Sequence, residues 1–146
     1  MNFLSETAHD RTLFLDRDGV LNHEKKADYV KHVGEFEWYD GVLEALRILS
    51  HQFARIIIVT NQRGIGKGLM THQDLNEIHQ HLKQEAECAG GRIDAFYYAP
   101  ELESDAINRK PNTGMALQAK MDFPKIDFQK SVMVGNNLSD MKFGKG

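Results

Sequence analysis

The sequence predicts an α/β fold: a doubly wound, Rossmann-like parallel sheet with helices on both faces and no large cap domain. Three observations carry that expectation. Short apolar runs at 12–15, 55–60, 93–98 and 131–134 alternate with stretches of helical periodicity, the pattern of a sheet covered on both faces. Polar groups stand at the ends of the clearest runs, at Asp16, Thr60 and Gly135-Asn136, where open parallel sheets bind ligands. Only about twenty residues separate Gly19 from the helix expected near Asp40, too few for a large lid domain.

Each element has its own signal. Thr12–Leu15 is a short buried strand that runs into acidic residues. The mixed, aromatic stretch 27–40 reads as a loop or short hairpin. Val42, Leu43, Leu46 and Leu49 recur at helical spacing over 41–50, with Asp40 as the expected N-cap. The succession of isoleucines and valine in 55–60 makes the strongest strand. Asn61–Gly68 reads as a glycine-rich loop. Thr71 and Asp74 form the pattern of a capping box, with Asp in place of the usual Glu. Leu75, Ile78, Leu82 and Ala86 mark that helix's buried face, and Gly90-Gly91 ends it. A further strand at 93–98, a helix over 112–121 entered through Pro111, and a strand at 131–134 complete the pattern. One domain over 1–146 is expected. The sequence stops at Gly146 just after a helix should begin at Ser139 or Asp140, so it is either clipped there or minimal.

Composition narrows the function. The 146 residues carry a formal charge of -3, which disfavours non-specific nucleic-acid binding, so no nucleic-acid partner is expected. One cysteine, Cys88, excludes an internal disulfide and argues against a cysteine-based zinc site. No apolar run is long enough for a membrane span, and the first ten residues lack a secretory core, so a cytoplasmic protein is expected. The oligomeric state is left open.

Asp16 and Asp18 are one residue apart, and in extended geometry both would project to the same side. Paired carboxylates are costly unless a cation or shared proton relieves them, and magnesium favours such oxygen donors. A carboxylate can attack phosphorus while a second manages protons. The pair is equally consistent with a capped turn in which Gly19 supplies an unusual backbone angle. Thr60 and Asn61 offer a hydroxyl and an amide to phosphate oxygens, or form an ordinary turn. Lys110 can neutralise a transferring phosphoryl group, or remain a solvated charge. Gly64–Gly68 fails the phosphate-loop pattern, having Asn61 where the first glycine belongs and Gly68 after Lys67. Arg63 and Lys67 on that rim either meet an anionic substrate or are solvated. His72, His79 and His81 lack metal-site spacing and are expected on the surface.

In order along the chain, these motifs resemble the haloacid dehalogenase-like phosphatases. Phe14-Leu15-Asp16-Arg17-Asp18-Gly19-Val20-Leu21-Asn22 is similar to the first motif of the group containing heptose bisphosphate and histidinol phosphatases. Val59-Thr60-Asn61-Gln62 with Gly64-Ile65 resembles the second, Arg109-Lys110-Pro111 the third, and Val134-Gly135 through Asp140-Met141 part of the fourth.

The resemblance implies a magnesium-dependent phosphomonoesterase acting on a small sugar phosphate, such as a heptose bisphosphate, through an aspartyl-phosphate. It implies Asp16 as nucleophile and magnesium ligand. Asp18 would be general acid and base, and would ligate magnesium through its backbone carbonyl. Thr60, Asn61 and Lys110 would hold phosphate, and Arg63 and Arg109 would contact substrate. Asn136 would be the remaining metal ligand, and Asp140 a supporting acid.

Two departures stand out. Asn136 occupies a position where the family usually has Asp, removing one negative charge from the metal site. The cysteines and histidine of the group's zinc loop are absent between Tyr97 and Arg109, so no structural zinc is expected. Lys25, Lys26 and Lys31 either attract substrate or are solvated. A catalytically weakened binding or regulatory protein, motivated by Asn136, and phosphoryl transfer to an acceptor other than water remain alternatives.

Overall fold

The computed structural model describes residues 11–23, 29–99 and 114–135. Four parallel strands form its sheet: β1 (Thr12–Leu15), β2 (Arg55–Asn61), β3 (Ala95–Ala99) and β4 (Ser131–Val134). Their order is β3-β2-β1-β4. The chain moves outward from β1 through β2 to β3, then returns to the far side of β1. That reversal places the topological switch between β1 and β4, where such sheets leave a crevice beyond the strand ends.

Helices cover both faces, as the sequence predicts. Phe14, Ile57 and Val59 point to the side packed by Met115, Ala116 and Ala119 of α3 (Gly114–Asp122). Leu13, Leu15, Ile56 and Ile58 point the other way, into a cluster containing Leu46 of α1 (Val42–Ser50) and Ala86 of α2 (His72–Cys88). Ile56 to Val59 are all 0% exposed. At roughly 1.5–3 kcal/mol for each buried aliphatic side chain, this strand anchors both layers. The Thr71 hydroxyl accepts from the Asp74 amide while the Asp74 carboxylate accepts from the Thr71 amide, so the capping box forms with Asp.

Several local expectations are corrected. Asp40 does not cap α1. Gly41 does, at φ 84°, a left-handed conformation suited to glycine, and it makes no side-chain cap bond. The stretch 61–68 is not all loop: Asn61 ends β2, and Arg63–Gly66 forms one helical turn. The third strand begins at Ala95 rather than Ile93, because Asp94 instead clamps Ile56. Its carboxylate accepts the Ile56 amide at 2.7 Å and its own amide donates to the Ile56 carbonyl at 2.8 Å.

In the stretch read as loop or hairpin, 37–39 pairs back onto 21–23. His23 N–H donates to the Glu37 carbonyl, and Tyr39 N–H to that of Leu21. A 3-10 turn at Val33–Glu35 lies between. Among the described residues no large cap domain stands over the sheet, and no helix is long and apolar enough to cross a membrane.

Candidate active site

The first strand delivers Asp16 to the switch point. The Asp16 amide donates to the Val134 carbonyl at 3.0 Å, which extends the β1–β4 pairing by one residue and seats Asp16 beside the end of β4. Its carboxylate accepts the Arg17 amide at 2.8 Å and is buried. Beyond this point the chain leaves extended geometry, so simple strand alternation does not govern Asp18. Leu21, Asn22 and Val20 amides converge on the Arg17 carbonyl, and Gly19 turns the chain at φ 86°. The turn with which the acidic pair is also consistent is therefore present, and the carboxylates sit within it.

Asp18 is a heavily hydrogen-bonded carboxylate. Arg17 Nη2 reaches its two oxygens at 2.9 and 3.1 Å, and Arg17 Nε reaches Oδ1 at 3.2 Å. Asn22 Nδ2 donates to Oδ1 at 2.8 Å and Gln62 Nε2 to Oδ2 at 2.9 Å. Burial pushes the carboxyl pKa up, but the adjacent guanidinium and the bonds from Asn22, Arg17 and Gln62 together hold it below its ordinary value of 3.8. Asp18 is thus an ionised acceptor.

The second strand supplies Thr60, which is buried, at the register step opposite Tyr98. Gln62 ties it to the first strand, donating to Thr60 Oγ1 at 3.0 Å and to Asp18 from the same amide. Asn61 follows at the end of β2, and Arg63 opens the helical turn. Among the described residues, Arg63 Nε is buried without a hydrogen-bond partner. Asp16, Asp18, Thr60, Asn61 and Arg63 are therefore gathered at one edge of the sheet. Lys110, Arg109, Asn136 and Asp140 lie outside the described residues, as do Lys25 and Lys26.

Sequence reasoning missed four residues of this network: Arg17, Asn22, Gln62 and His79. Arg17 and Asn22 are 0% exposed. His79 is not a surface histidine; it is 5% exposed, with Nε2 3.3 Å from Arg17 Nη1. The signal was available, because position 79 continues the stripe of Leu75, Ile78 and Leu82 at i+4 from Leu75. His72 and His81 are more exposed, and His81 pairs with Glu85. Burial, and then the Arg17 charge, push the His79 pKa well below its ordinary value of 6.5, so its ring is neutral.

A cleft of about 320 Å³, lined by His79, Lys83, Asp94, Phe96 and Tyr98 among others, lies against α2 and β3 and meets this network at His79. It contains none of Asp16, Asp18 or Thr60, and the strand-end chemistry lies elsewhere.

Among the described residues no group of three or more His, Cys, Asp or Glu is placed to hold a metal ion. The donors present at the strand end are nevertheless of the right type. Asp16 offers a carboxylate and the neighbouring backbone offers carbonyls, hard oxygens that suit magnesium, with no thiolate among them.

A parallel sheet carrying an Asp-x-Asp turn on its first strand and a threonine on its second is what the resemblance to the haloacid dehalogenase-like phosphatases implies. Comparison with known proteins agrees. The sequence model of the family described as polynucleotide kinase 3 phosphatase matches residues 10–143. The chain is 39% identical over 135 residues to D-glycero-alpha-D-manno-heptose-1,7-bisphosphate 7-phosphatase of Mycobacterium bovis, covering 92% of this chain and 71% of that protein. It is 35% identical over 144 residues to D-glycero-beta-D-manno-heptose-1,7-bisphosphate 7-phosphatase of Haemophilus influenzae, covering 94% and 77%. The crystal structure of D,D-heptose 1,7-bisphosphate phosphatase from B. bronchiseptica, complexed with magnesium and phosphate, superposes with a TM-score of 0.83 at 30% identity. That match covers 91% of this chain and 74% of that one. The chain belongs to the polynucleotide kinase 3 phosphatase family and, within it, to the heptose bisphosphate phosphatase group of haloacid dehalogenase-like phosphatases.

Proposed function

We propose that this chain is a magnesium-dependent phosphomonoesterase that hydrolyses a heptose bisphosphate, or a closely similar sugar phosphate, through an aspartyl-phosphate at Asp16. The observation that carries the reading is the joining of the two strand ends. Gln62 bonds both Asp18 and Thr60, so a carboxylate and a phosphate-binding hydroxyl are held in one network next to Asp16. The relatives named above act on such sugars, and this supports the substrate class.

In the first step an Asp16 carboxylate oxygen attacks phosphorus, the ester P–O bond breaks, and the sugar oxygen takes a proton from Asp18. In the second, Asp18 takes a proton from water, the water oxygen attacks phosphorus, and the Asp16–phosphorus bond breaks to release phosphate. The ionised state of Asp18 is ready for the second step. For the first, the negative charge of the arriving phosphate raises the Asp18 pKa and favours its protonation. Thr60, Asn61 and Lys110 hold the phosphoryl oxygens, and Arg63 and Arg109 contact the rest of the substrate.

The Asp16 carboxylate, the Asp18 backbone carbonyl and the Asn136 side-chain oxygen would hold magnesium, with Asp140 as a supporting acid. When bound, the ion offsets charge on the phosphoryl oxygens. Residues 1–146 are proposed to form a single domain, acting in the cytoplasm without a nucleic-acid partner.

The test is a magnesium-dependent screen of both heptose bisphosphate anomers, histidinol phosphate and a 3′-phosphorylated oligonucleotide, with wild type and Asp16→Asn. Wild type releases phosphate from a heptose bisphosphate. Asp16→Asn lowers the rate by roughly a thousandfold or more while the circular dichroism spectrum is retained. Substantial residual turnover would contradict the nucleophile, and preference for the oligonucleotide would replace the substrate.

A further inference from the structure

We propose that His79 is a positioning residue of the phosphatase site, accepting a hydrogen bond from Arg17 and thereby fixing the guanidinium that holds the Asp18 carboxylate. The proposal rests on the reading of Asp18 as the acid and base.

Arg17 is 0% exposed, so its cation has no bulk water to satisfy it. Nε and Nη2 are taken up by Asp18, with Gln62 Oε1 at 3.4 Å from Nη2. Nη1 faces His79 Nε2 at 3.3 Å, and no other acceptor reaches it among the described residues. A guanidinium carries only donors, so Nε2 must present its lone pair, and the ring proton resides on Nδ1. Burial and the Arg17 charge keep the ring neutral, which this arrangement requires.

The ring is itself held. It stacks on Phe96 at 4.3 Å between centroids and 12° between planes, with Tyr98 edge-on at 6.2 Å. His79 thus runs a connection from β3 and α2 to the turn after β1. Core packing alone does not account for an imidazole here. Position 79 sits in a stripe of Leu75, Ile78 and Leu82, where an aliphatic side chain would avoid the desolvation of ring nitrogens. A local rule broken beside a buried guanidinium is the mark of a site constraint.

The experiment compares wild type, His79→Phe, His79→Gln and Asp18→Asn with a heptose bisphosphate in magnesium buffer, reading kcat and KM separately. His79→Phe keeps a ring on Phe96 but removes the acceptor; His79→Gln restores an acceptor without the ring. We expect kcat of His79→Phe to fall roughly ten- to a hundredfold, with KM within about twofold. His79→Gln should recover most of that loss.

Wild-type kcat in His79→Phe alongside an inactive Asp18→Asn overturns the positioning role. So does equal slowing in both His79 variants, which would assign the effect to ring packing. Full turnover in Asp18→Asn overturns the assignment of Asp18 and the proposal with it, a failure distinct from the other two. A readout independent of turnover is the imidazole nitrogen NMR of wild type. The neutral Nδ1–H tautomer is expected at His79, and an Nε2–H tautomer overturns the proposal even if a variant fails to fold.

Discussion

The buried neutral His79 makes the stability of this protein depend on pH in a defined window. In the unfolded chain the imidazole titrates near its ordinary value of 6.5. In the folded chain burial, and then the Arg17 cation, hold its pKa well below that value. As pH falls through 6.5 the unfolded state takes up a proton that the native state does not. More protons bound by the unfolded state means that stability falls with falling pH, until the folded pKa is reached.

For one proton the slope approaches about 1.4 kcal/mol per pH unit. Integrated from pH 7.5 to pH 5.5, with the native ring neutral throughout, the loss is about 1.4 kcal/mol. The Asp18 contribution lies lower: its folded pKa is depressed below 3.8, so its stabilisation persists above that value and is lost as pH falls further.

The perturbation is His79→Phe, and the assay is urea unfolding at half-unit pH steps between 7.5 and 5.5. The variant's absolute stability reflects lost and gained contacts, but its difference from wild type should change by about 1.4 kcal/mol across the range. Wild type should lose more than the variant on acidification. A constant difference would refute the neutral buried ring, because no other histidine changes between the two proteins.

Three further outcomes are expected. Gly91→Ala should destabilise the fold by about 1–3 kcal/mol in urea, because a Cβ there would meet the backbone of Leu46 and Arg47 at 3.0 Å; unchanged stability would show that α1 can move aside. Thr71→Ala should cost about 1 kcal/mol by removing the side-chain acceptor of the capping box, and Thr71→Ser should restore most of it. Asn136→Asp should tighten magnesium binding by roughly tenfold in a metal titration, since it restores a negative ligand, and identical titrations for the two proteins would remove the idea.

Much of this protein was legible in the order of its residues. Continuous apolar runs mark strands that pack between helical layers, and β1 and β2 are buried on both faces, while β3 is mostly half-buried and β4 alternates half-buried with exposed; the four parallel strands and the polar strand ends followed from pattern alone. The Thr71–Asp74 cap was readable because its partners are three residues apart. The same logic failed where partners are distant in sequence. His79 and Arg17 are separated by 62 positions, and nothing local marks the histidine except a place on an apolar stripe. Asp94 withdraws from the third strand's apolar run because it bonds Ile56, 38 residues away.

By itself, then, the sequence determined the class of fold, the strand that carries Asp16 and the chemistry available at its end. Periodicity and residue type suffice for those, being local properties of burial and backbone. Only the tertiary structure decided what surrounds Asp18. Its ionised state, the Gln62 link to Thr60 and the buried Arg17–His79 contact all arise where separate elements meet. A carboxylate's electrostatics depend on which charges and donors the fold brings within hydrogen-bonding distance, and spacing along the chain does not contain that information.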